Sequence, residues 1–258
     1  MRGDDAAHRF LARHYFMQCS KYELSAHAFV CASGDYYVIL DAKHDRYLCL
    51  RRQEFQQLRP LMQIDGESLG SAADVLGDPT AAARLLAAQL LSLGILNEGA
   101  GACIDAQIRP PLIVPDESLL TTVQPPPVLS SLAYFPIFVV ACWRTARRLR
   151  NCPLYGIFEI HRSRVRDRQR QSDMKEARVR QLVACFTGLR PFFPRKPVCL
   201  FDSLAMLEFL YQFGFTPMLV FGVQAEPFEA HCWVQHGTTV INDTVARAQA
   251  FTPIMAVH

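Results

Sequence analysis

Residues 195–243 constrain the fold of this chain more than any other segment, because they join one helical pattern to two strand patterns. The helical pattern begins at Cys199, carries apolar residues at helical spacing and stops at Gly214. An alternating strand pattern then carries His231, and after a Gly-containing turn a second strand pattern ends with Asp243. The segment therefore predicts a helix followed by a β-hairpin, with a thiol, an imidazole and a carboxylate at its key positions.

Cys199 has the sequence setting of a nucleophile. A thiol at the start of a helix lies near the positive end of the helix dipole and near unpaired backbone N–H groups, and both favour the thiolate. His231 would serve as the general base, with Asp243 holding its tautomer, and a symmetric hairpin centred at Gly237 pairs residues 231 and 243. The alternatives stay open at this point, since isolated cysteines and strand histidines more often serve packing than catalysis.

Two neighbouring residues compete with this assignment. Cys232 is a second thiol, but strand alternation turns it to the face opposite His231, where we expect an inert core residue. Asp202 lies about one helical turn after Cys199, and a carboxylate there would repel a thiolate rather than orient His231.

The N-terminal part of the chain favours a small antiparallel sheet. Three short runs rich in β-branched and aromatic residues follow one another with polar turns between them, at 26–32, 35–41 and 46–50. Helical patterns come next, at 51–62 and after Thr80. Three strands and two helices in so short a stretch predict a winged-helix-like unit.

A sheet of three strands leaves an open edge, which must be covered or used. One interpretation is a purely structural subdomain covered by its neighbour. The other is strand addition, in which an extended peptide pairs with the edge strand through main-chain hydrogen bonds. In that case the candidate binding residues are those of the third run, Tyr47, Leu48, Cys49 and Leu50.

Composition divides the chain into parts. We predict an N-terminal extension at 1–20, a small domain at 21–98, a linker rich in Pro and Gly at 99–130 and a C-terminal domain at 131–258. The expected fold class is α+β.

The composition also bears on the compartment. Nine cysteines form no CxxC pair and no zinc-ligand spacing, so neither a disulfide framework nor a metal site is predicted. The N-terminus carries acidic residues and lacks an apolar run, and the most apolar segment, 132–143, is shorter than the ~20 residues that span a bilayer. We therefore expect a cytoplasmic protein without stable membrane insertion.

Positive charge is concentrated in one segment, residues 144–180, which holds 12 Lys or Arg against 4 Asp or Glu. Such a segment is either a solvated helical face or a surface that attracts a polyanion. Aromatic residues do not alternate with the charges, so nucleic acid is not an expected partner. A nucleotide phosphate, an acidic peptide or a partner protein fits better.

The C-terminal motifs resemble a known family, the B proteins of lasso-peptide biosynthesis. Cys199 opens a run that continues with Ser203-Leu204-Ala205, and Gly222-Val223 and Pro227-Phe228 precede Ala230-His231 and Trp233-Val234, with Asp243 shortly after. Cys232 and Gln235 depart from the usual pattern of the family, and neither belongs to the three candidate residues. The N-terminal part looks like a PqqD-like precursor-recognition domain fused to this peptidase.

The resemblance implies a transglutaminase-like, papain-like cysteine peptidase domain with Cys199, His231 and Asp243 as its catalytic residues. It further implies that the N-terminal domain binds the leader of a ribosomally made precursor and that the peptidase removes this leader. The partner would be an asparagine-synthetase-like lasso cyclase that uses ATP. No Gly-rich phosphate loop is present, so no bound cofactor is expected, and any ATP linkage would belong to that partner or to the basic segment.

Two other functions use the same features. An acyltransferase or transglutaminase would employ the same three residues with an amine in place of water. A non-catalytic scaffold would bind the precursor and leave its peptide bonds intact.

Overall fold

A computed structural model describes residues 22–58, 61–62, 80–99, 114–122, 131–168 and 176–257. The predicted N-terminal extension, 1–20, and most of the predicted linker lie outside the described residues. None of the helices within the described ranges is both long and apolar enough to cross a bilayer.

Helices and strands alternate along the chain, which confirms the predicted mixture of helix and sheet. The described strands are β1 (Tyr22–Leu24), β2 (Ala28–Ser33), β3 (Tyr36–Asp41), β4 (Arg46–Arg51), β5 (Leu96–Glu98), β6 (Glu117–Ser118), β7 (Met218–Gln224), β8 (Glu229–His236), β9 (Thr239–Val240) and β10 (Thr252–Val257). The described α-helices are α1 (Arg52–Leu58), α2 (Ala81–Ser92), α3 (Leu119–Thr122), α4 (Phe135–Asn151), α5 (Leu154–Arg168), α6 (Glu176–Leu189), α7 (Cys199–Gln212) and α8 (Val245–Gln249).

The three N-terminal runs form a three-stranded antiparallel sheet in the order β2–β3–β4, as their alternation predicted. Gly34 and Asp45 adopt left-handed backbone conformations, with φ of 58° and 51°, in the two connecting turns. β4 is an edge strand of this sheet, since only β3 pairs with it among the described strands.

Helices α1 and α2 cover one face of the sheet. α2 begins after Thr80, whose hydroxyl accepts a hydrogen bond from the Ala83 N–H at 3.1 Å, and it stops before Gly94, which has φ of 69°. The helix predicted over 51–62 is shorter than expected, because Met62 already forms a parallel β-bridge with Tyr22.

A five-stranded sheet lies in the C-terminal part, in the order β10–β7–β8–β9–β6. β6 falls within the stretch predicted as linker, 99–130, and pairs in parallel with β9. The sequence patterns did not predict β1, β5, β6 or β10. Most of these strands are two or three residues long, too short to show alternation.

The basic segment, 144–180, runs from α4 through α5 into α6, and the residues that join α5 to α6, 169–175, lie outside the described chain. α7 is the central helix: it packs against α4, α6 and β8, and nearly all its residues from Phe201 to Tyr211 are buried. This burial explains why its apolar residues surround the helix instead of forming one stripe.

The three-stranded sheet is packed on both faces. Tyr37 and Ile39 of β3 contact α1 and α2 in a cluster that belongs to the N-terminal part alone. The alternate residues, Val38 and Leu40, face the other way and share one continuous core with α4–α7 and the five-stranded sheet. The N-terminal sheet is therefore packed directly onto the C-terminal part.

Two hydrogen bonds reinforce this contact. The Tyr155 N–H at the start of α5 donates to the Ala42 carbonyl at 2.8 Å. The Tyr36 hydroxyl donates to Glu226 in the β7–β8 turn at 2.6 Å.

The shared core predicts that Leu40→Ala destabilises the C-terminal part although Leu40 lies in the N-terminal sheet. Leu40 is fully buried, and removing such a side chain costs about 2–5 kcal/mol of unfolding free energy. Both tryptophans, Trp143 and Trp233, lie in the C-terminal part, so denaturation followed by tryptophan fluorescence measures the effect there. Leu85→Ala, at a side chain 65% exposed, is the control. An unshifted fluorescence transition in Leu40→Ala would show that the two parts unfold independently.

Candidate active site

Cys199 is the first residue of α7, as predicted, and is half-buried. Asp202, in the first turn of this helix, caps its start, because the Asp202 carboxylate accepts a hydrogen bond from the Val198 N–H at 3.2 Å. The Arg190 Nε donates to the other oxygen of Asp202 at 2.6 Å. Asp202 is thus neutralised as a helix cap by Arg190, which settles its role as a structural carboxylate that does not compete for His231.

His231 lies on β8 with the predicted alternation. Its ring stacks near Trp233 on one face of the sheet, with ring centroids 6.1 Å apart, while Cys232 faces the core on the other side. Opposite His231 on β7 is Gly222, where a Cβ would come within 2.7 Å of Phe251 and 2.9 Å of the Trp233 ring. A glycine at this position is what allows the aromatic rings to pack beside His231.

Asp243 reaches His231, but the predicted hairpin register is wrong. His236 pairs with Thr239 across a two-residue turn, and β9 ends at Val240. Residues 231 and 243 are therefore not ladder partners, and Asp243 does not close a strand. It lies in a bend after β9, from which its Oδ2 contacts His231 Nε2 at 2.5 Å.

Neighbouring backbone groups hold Asp243 in place. The Thr244 N–H donates to Asp243 Oδ1 at 2.7 Å, and the Ser118 hydroxyl donates to the Asp243 carbonyl at 2.6 Å. Because Asp243 engages Nε2 of His231, Nδ1 is the nitrogen left to bond with Cys199. The structure thus brings all three sequence-predicted residues together in the order thiol, imidazole, carboxylate.

The charges of Cys199 and His231 support each other. Hydrogen bonds from Cys232 and then from His231 lower the pKa of Cys199 to about 4, against the opposing effect of its burial. Burial alone would lower the pKa of His231, but its hydrogen bonds with Asp243 and Cys199 raise that pKa to about 9. At neutral pH the two side chains therefore form a thiolate–imidazolium pair.

Cys232 is buried, faces the core and has a raised pKa, as expected of a thiol that is not the nucleophile, but it also contacts Cys199. Both its thiol and its backbone N–H hydrogen-bond to Cys199, and the contact together with burial raises the pKa of Cys232. Of the β8 residues, β9 pairs with Gln235 and His236, and its pairing does not extend to Cys232. The edge of β8 at Cys232 is therefore open to the start of α7. Cys232 thus supplies donors to the thiolate, a role that strand alternation alone does not reveal.

Asn242 is a second residue that the sequence patterns missed. Its amide donates to the Ser203 hydroxyl of α7 at 2.8 Å and accepts the Val234 N–H of β8 at 2.7 Å. Ser203 in turn donates to the Cys232 carbonyl at 3.2 Å. This buried network sets the spacing between α7, β8 and the bend that carries Asp243.

Comparison with protein families identifies the C-terminal part. The family model described as the transglutaminase-like superfamily matches residues 141–256, which include the three candidate residues. Residues 141–256 form a transglutaminase-like domain. Searches of curated proteins and of solved structures gave no match. Cysteine peptidases and transglutaminases are both typical of this superfamily, and the geometry of the domain suits either.

The predicted leader-binding residues lie on β4. Leu48 and Leu50 pack towards the α1–α2 cluster, and Cys49 is exposed. Tyr47 packs on the opposite face against Phe228 of the transglutaminase-like domain, with ring centroids 5.4 Å apart. Burial raises the pKa of Tyr47, and the nearby Cys232 and Cys199 thiols add to this rise, so β4 passes close to the triad.

The basic segment, 144–180, is partly neutralised inside the domain. Arg148 and Arg164 both bond to Glu208, a side chain of α7 with 1% exposure. A buried carboxylate needs such partners, so these two arginines have a structural role. The arginines that stay exposed on α4, such as Arg144 and Arg147, retain the predicted surface charge.

The ion pair predicts that Cys199 is alkylated in mildly acidic solution. The rate of iodoacetamide modification should follow the thiolate fraction, with its acid midpoint near the pKa of about 4. Cys49 is the internal control, because burial raises its pKa and its reaction needs alkaline solution. Peptide mapping by mass spectrometry separates the two sites, and equal profiles for both would contradict the ion pair.

Variants assign the cause of this activation. Asp243→Asn removes the charge that supports the imidazolium, so the midpoint of Cys199 should rise by about 1–3 pH units. Cys232→Ala should also raise it, by removing a thiol donor, whereas Cys232→Ser keeps a donor and should preserve most of the activation. Alkylation that Cys232→Ala leaves unchanged would restrict the role of Cys232 to packing.

Proposed function

We propose that this protein is a cysteine endopeptidase that removes the leader peptide from a ribosomally made lasso-peptide precursor. The observation that supports it most is the Cys199–His231–Asp243 arrangement in a transglutaminase-like domain. The motifs around these residues resemble the leader peptidases of lasso-peptide biosynthesis. The three-stranded sheet packed beside the triad is then the PqqD-like, winged-helix-like recognition domain, and the chain between β5 and β6 joins it to the transglutaminase-like domain.

The geometry accounts for cleavage of a peptide bond. The Cys199 thiolate attacks the carbonyl carbon at the leader–core junction, and the N–H groups at the start of α7 stabilise the oxyanion. The His231 imidazolium gives its proton to the departing core amine, which leaves a thioester on Cys199. His231 then takes a proton from water, the hydroxide attacks the thioester, and the leader departs with a free carboxylate as the thiolate re-forms. Asp243 holds the ring of His231 through both steps.

The free edge of β4 offers main-chain groups to an extended leader. The Arg52 N–H donates to the Asp35 carbonyl at 2.8 Å, which makes these residues a hydrogen-bonded pair. Such pairs alternate along an antiparallel ladder, so Leu50 also directs its backbone groups to β3. Cys49 and Tyr47 direct theirs to the open edge. A leader that pairs there would use these outward groups.

The position of this edge suits delivery of the cleavage site. Tyr47, at the near end of β4, contacts Phe228 in the β7–β8 turn and lies near Cys199. Phe228 and Val198 are 47% and 49% exposed, so apolar surface lies beside the triad for the residues that flank the scissile bond. A leader bound along β4 would therefore pass its C-terminal end towards Cys199.

The compartment and partners follow from the same proposal. All the cysteines in the described residues are free thiols, as in a reducing cytoplasm. The released core amine would pass to an asparagine-synthetase-like cyclase, and ATP would be consumed by that partner.

Cleavage is tested with the full chain, its precursor peptide and mass spectrometry of the products. We expect a free leader carboxylate from the wild type and a loss of at least about 10³-fold in Cys199→Ala, with leader affinity retained. Cys152→Ala, which removes a thiol away from the triad, should process normally. Leader joined to an added amine would assign an acyltransferase instead. Leader binding without turnover in the wild type, with the cyclase present, would assign a scaffold.

Strand addition is tested at Cys49, because its side chain is exposed and its N–H points to the open edge. Cys49→Pro removes that N–H and should weaken leader binding by roughly tenfold, whereas Cys49→Ala keeps it and should bind normally. Fluorescence anisotropy with a labelled leader measures both affinities, and unchanged melting temperatures show that both variants are folded. Equal affinity in the two variants would contradict strand addition on β4.

A further inference from the structure

One cluster of metal-ligand side chains lies outside the triad. His27 precedes β2, Asp41 ends β3, and His44 lies in the turn between β3 and β4. One ligand atom from each lies within 4.8 Å of the other two, and within the described ranges no other group of this kind is found. Two imidazoles and a carboxylate form a donor set that suits zinc.

His27 is held as metal-bound histidines are. Its Nε2 is buried and has no hydrogen-bond partner, while a hydrogen bond to the backbone of Gly94 engages the ring's other nitrogen. An Nδ1–H that donates a hydrogen bond to a backbone carbonyl keeps its proton, which leaves the lone pair on Nε2. Its ring also packs edge-on against Tyr155, at 6.0 Å between centroids.

The unpartnered nitrogen faces a carboxylate oxygen. His27 Nε2 lies 3.6 Å from Asp41 Oδ1, which is longer than a hydrogen bond. Two buried lone pairs directed at each other without a proton between them repel, and a cation between them removes that repulsion. Asp41 is fully buried, so water does not relieve this repulsion at the carboxylate.

The remaining contacts of Asp41 leave one of its oxygens available to bind a cation. Its Oδ1 accepts only two long hydrogen bonds, from the N–H groups of Lys43 and His44 at 3.2 and 3.3 Å. Its Oδ2 accepts Arg46 Nε and contacts His44 Nδ1, each at 2.8 Å. Arg46 thus compensates one oxygen, and the oxygen facing His27 is the one left with weak partners.

We propose that His27, Asp41 and His44 form a binding site for a divalent metal ion of the zinc class. Ligand atoms of a tetrahedral zinc site are about 3.4 Å apart, given metal–ligand bonds of about 2.0–2.2 Å. His27 Nε2 and Asp41 Oδ1 are 3.6 Å apart, close to that value, and the ligand atoms of the three residues lie within 4.8 Å of one another. His44 Nδ1 lies 2.8 Å from the other oxygen, Oδ2, so its side chain would rotate to share an ion with His27. His44 is 47% exposed, which leaves the fourth position open to water.

The ion would act at the junction of the two domains. The Ala42 N–H donates to the His27 carbonyl at 2.9 Å, and the Ala42 carbonyl accepts the Tyr155 N–H. A metal held by residues 27, 41 and 44 therefore ties together the start of β2, the end of β3 and the turn that leads into β4. It stabilises the recognition edge and takes no part in the chemistry at Cys199.

The test uses the full chain carrying Cys199→Ala, because a thiolate beside an imidazole is itself a zinc-binding set. Equilibrium dialysis against Zn²⁺ with elemental analysis gives the stoichiometry and affinity, and thermal denaturation gives the stability. We expect a single tightly bound ion and a melting temperature that rises with zinc. Adding His44→Ala should weaken binding by at least roughly tenfold and abolish the rise. Adding His236→Ala, at an exposed histidine of β8, should change neither.

Two results would overturn the proposal. One is a chain that binds no zinc, which would leave the cluster as a hydrogen-bonded turn compensated by Arg46. The other is zinc binding of equal strength with and without His44, which would place the ion elsewhere. His44 is largely exposed, so its replacement leaves the fold intact, and the melting temperature without zinc verifies this.

Discussion

The ion pair between the Cys199 thiolate and the His231 imidazolium is the interaction that the rest of the site supports. A half-buried thiolate is unfavourable by itself, since burial opposes the charged form. The charge is stabilised here because donors surround it: the imidazolium, the Cys232 thiol and backbone N–H, and the start of α7. Asp243 completes the arrangement by accepting a hydrogen bond from Nε2, the imidazolium nitrogen that faces away from Cys199.

Each of these groups comes from a different element, so their positions depend on how the elements pack. The buried Ser203–Asn242 network joins α7, β8 and the bend that carries Asp243. Its polar atoms satisfy one another in the core, where an unmet hydrogen bond costs about 1–3 kcal/mol. The network therefore favours one arrangement of the three elements, and that arrangement is the one that aligns the triad.

The same packing places the three-stranded sheet. β3 contributes alternate residues to two cores, one with α1 and α2 and one with the transglutaminase-like domain. Because the sheet is packed on both faces, an added peptide strand would pair with an edge, and β4 is the edge strand beside Phe228 and the triad. The proposed leader-binding edge and the triad thus lie beside each other, as the proposed removal of a leader requires.

Local patterns in the sequence determined the three-stranded sheet, the helices α2 and α7 and the identity of Cys199, His231 and Asp243. These features depend on alternation, helical spacing and capping, which residues close in sequence decide. Only the tertiary structure decided that Asp243 reaches His231 from a bend, that Cys232 donates to Cys199 and that Asn242 joins the elements. The four strands β1, β5, β6 and β10 likewise form through partners far along the chain. Such contacts depend on which surfaces pack together, and packing is a property of the whole chain rather than of any segment.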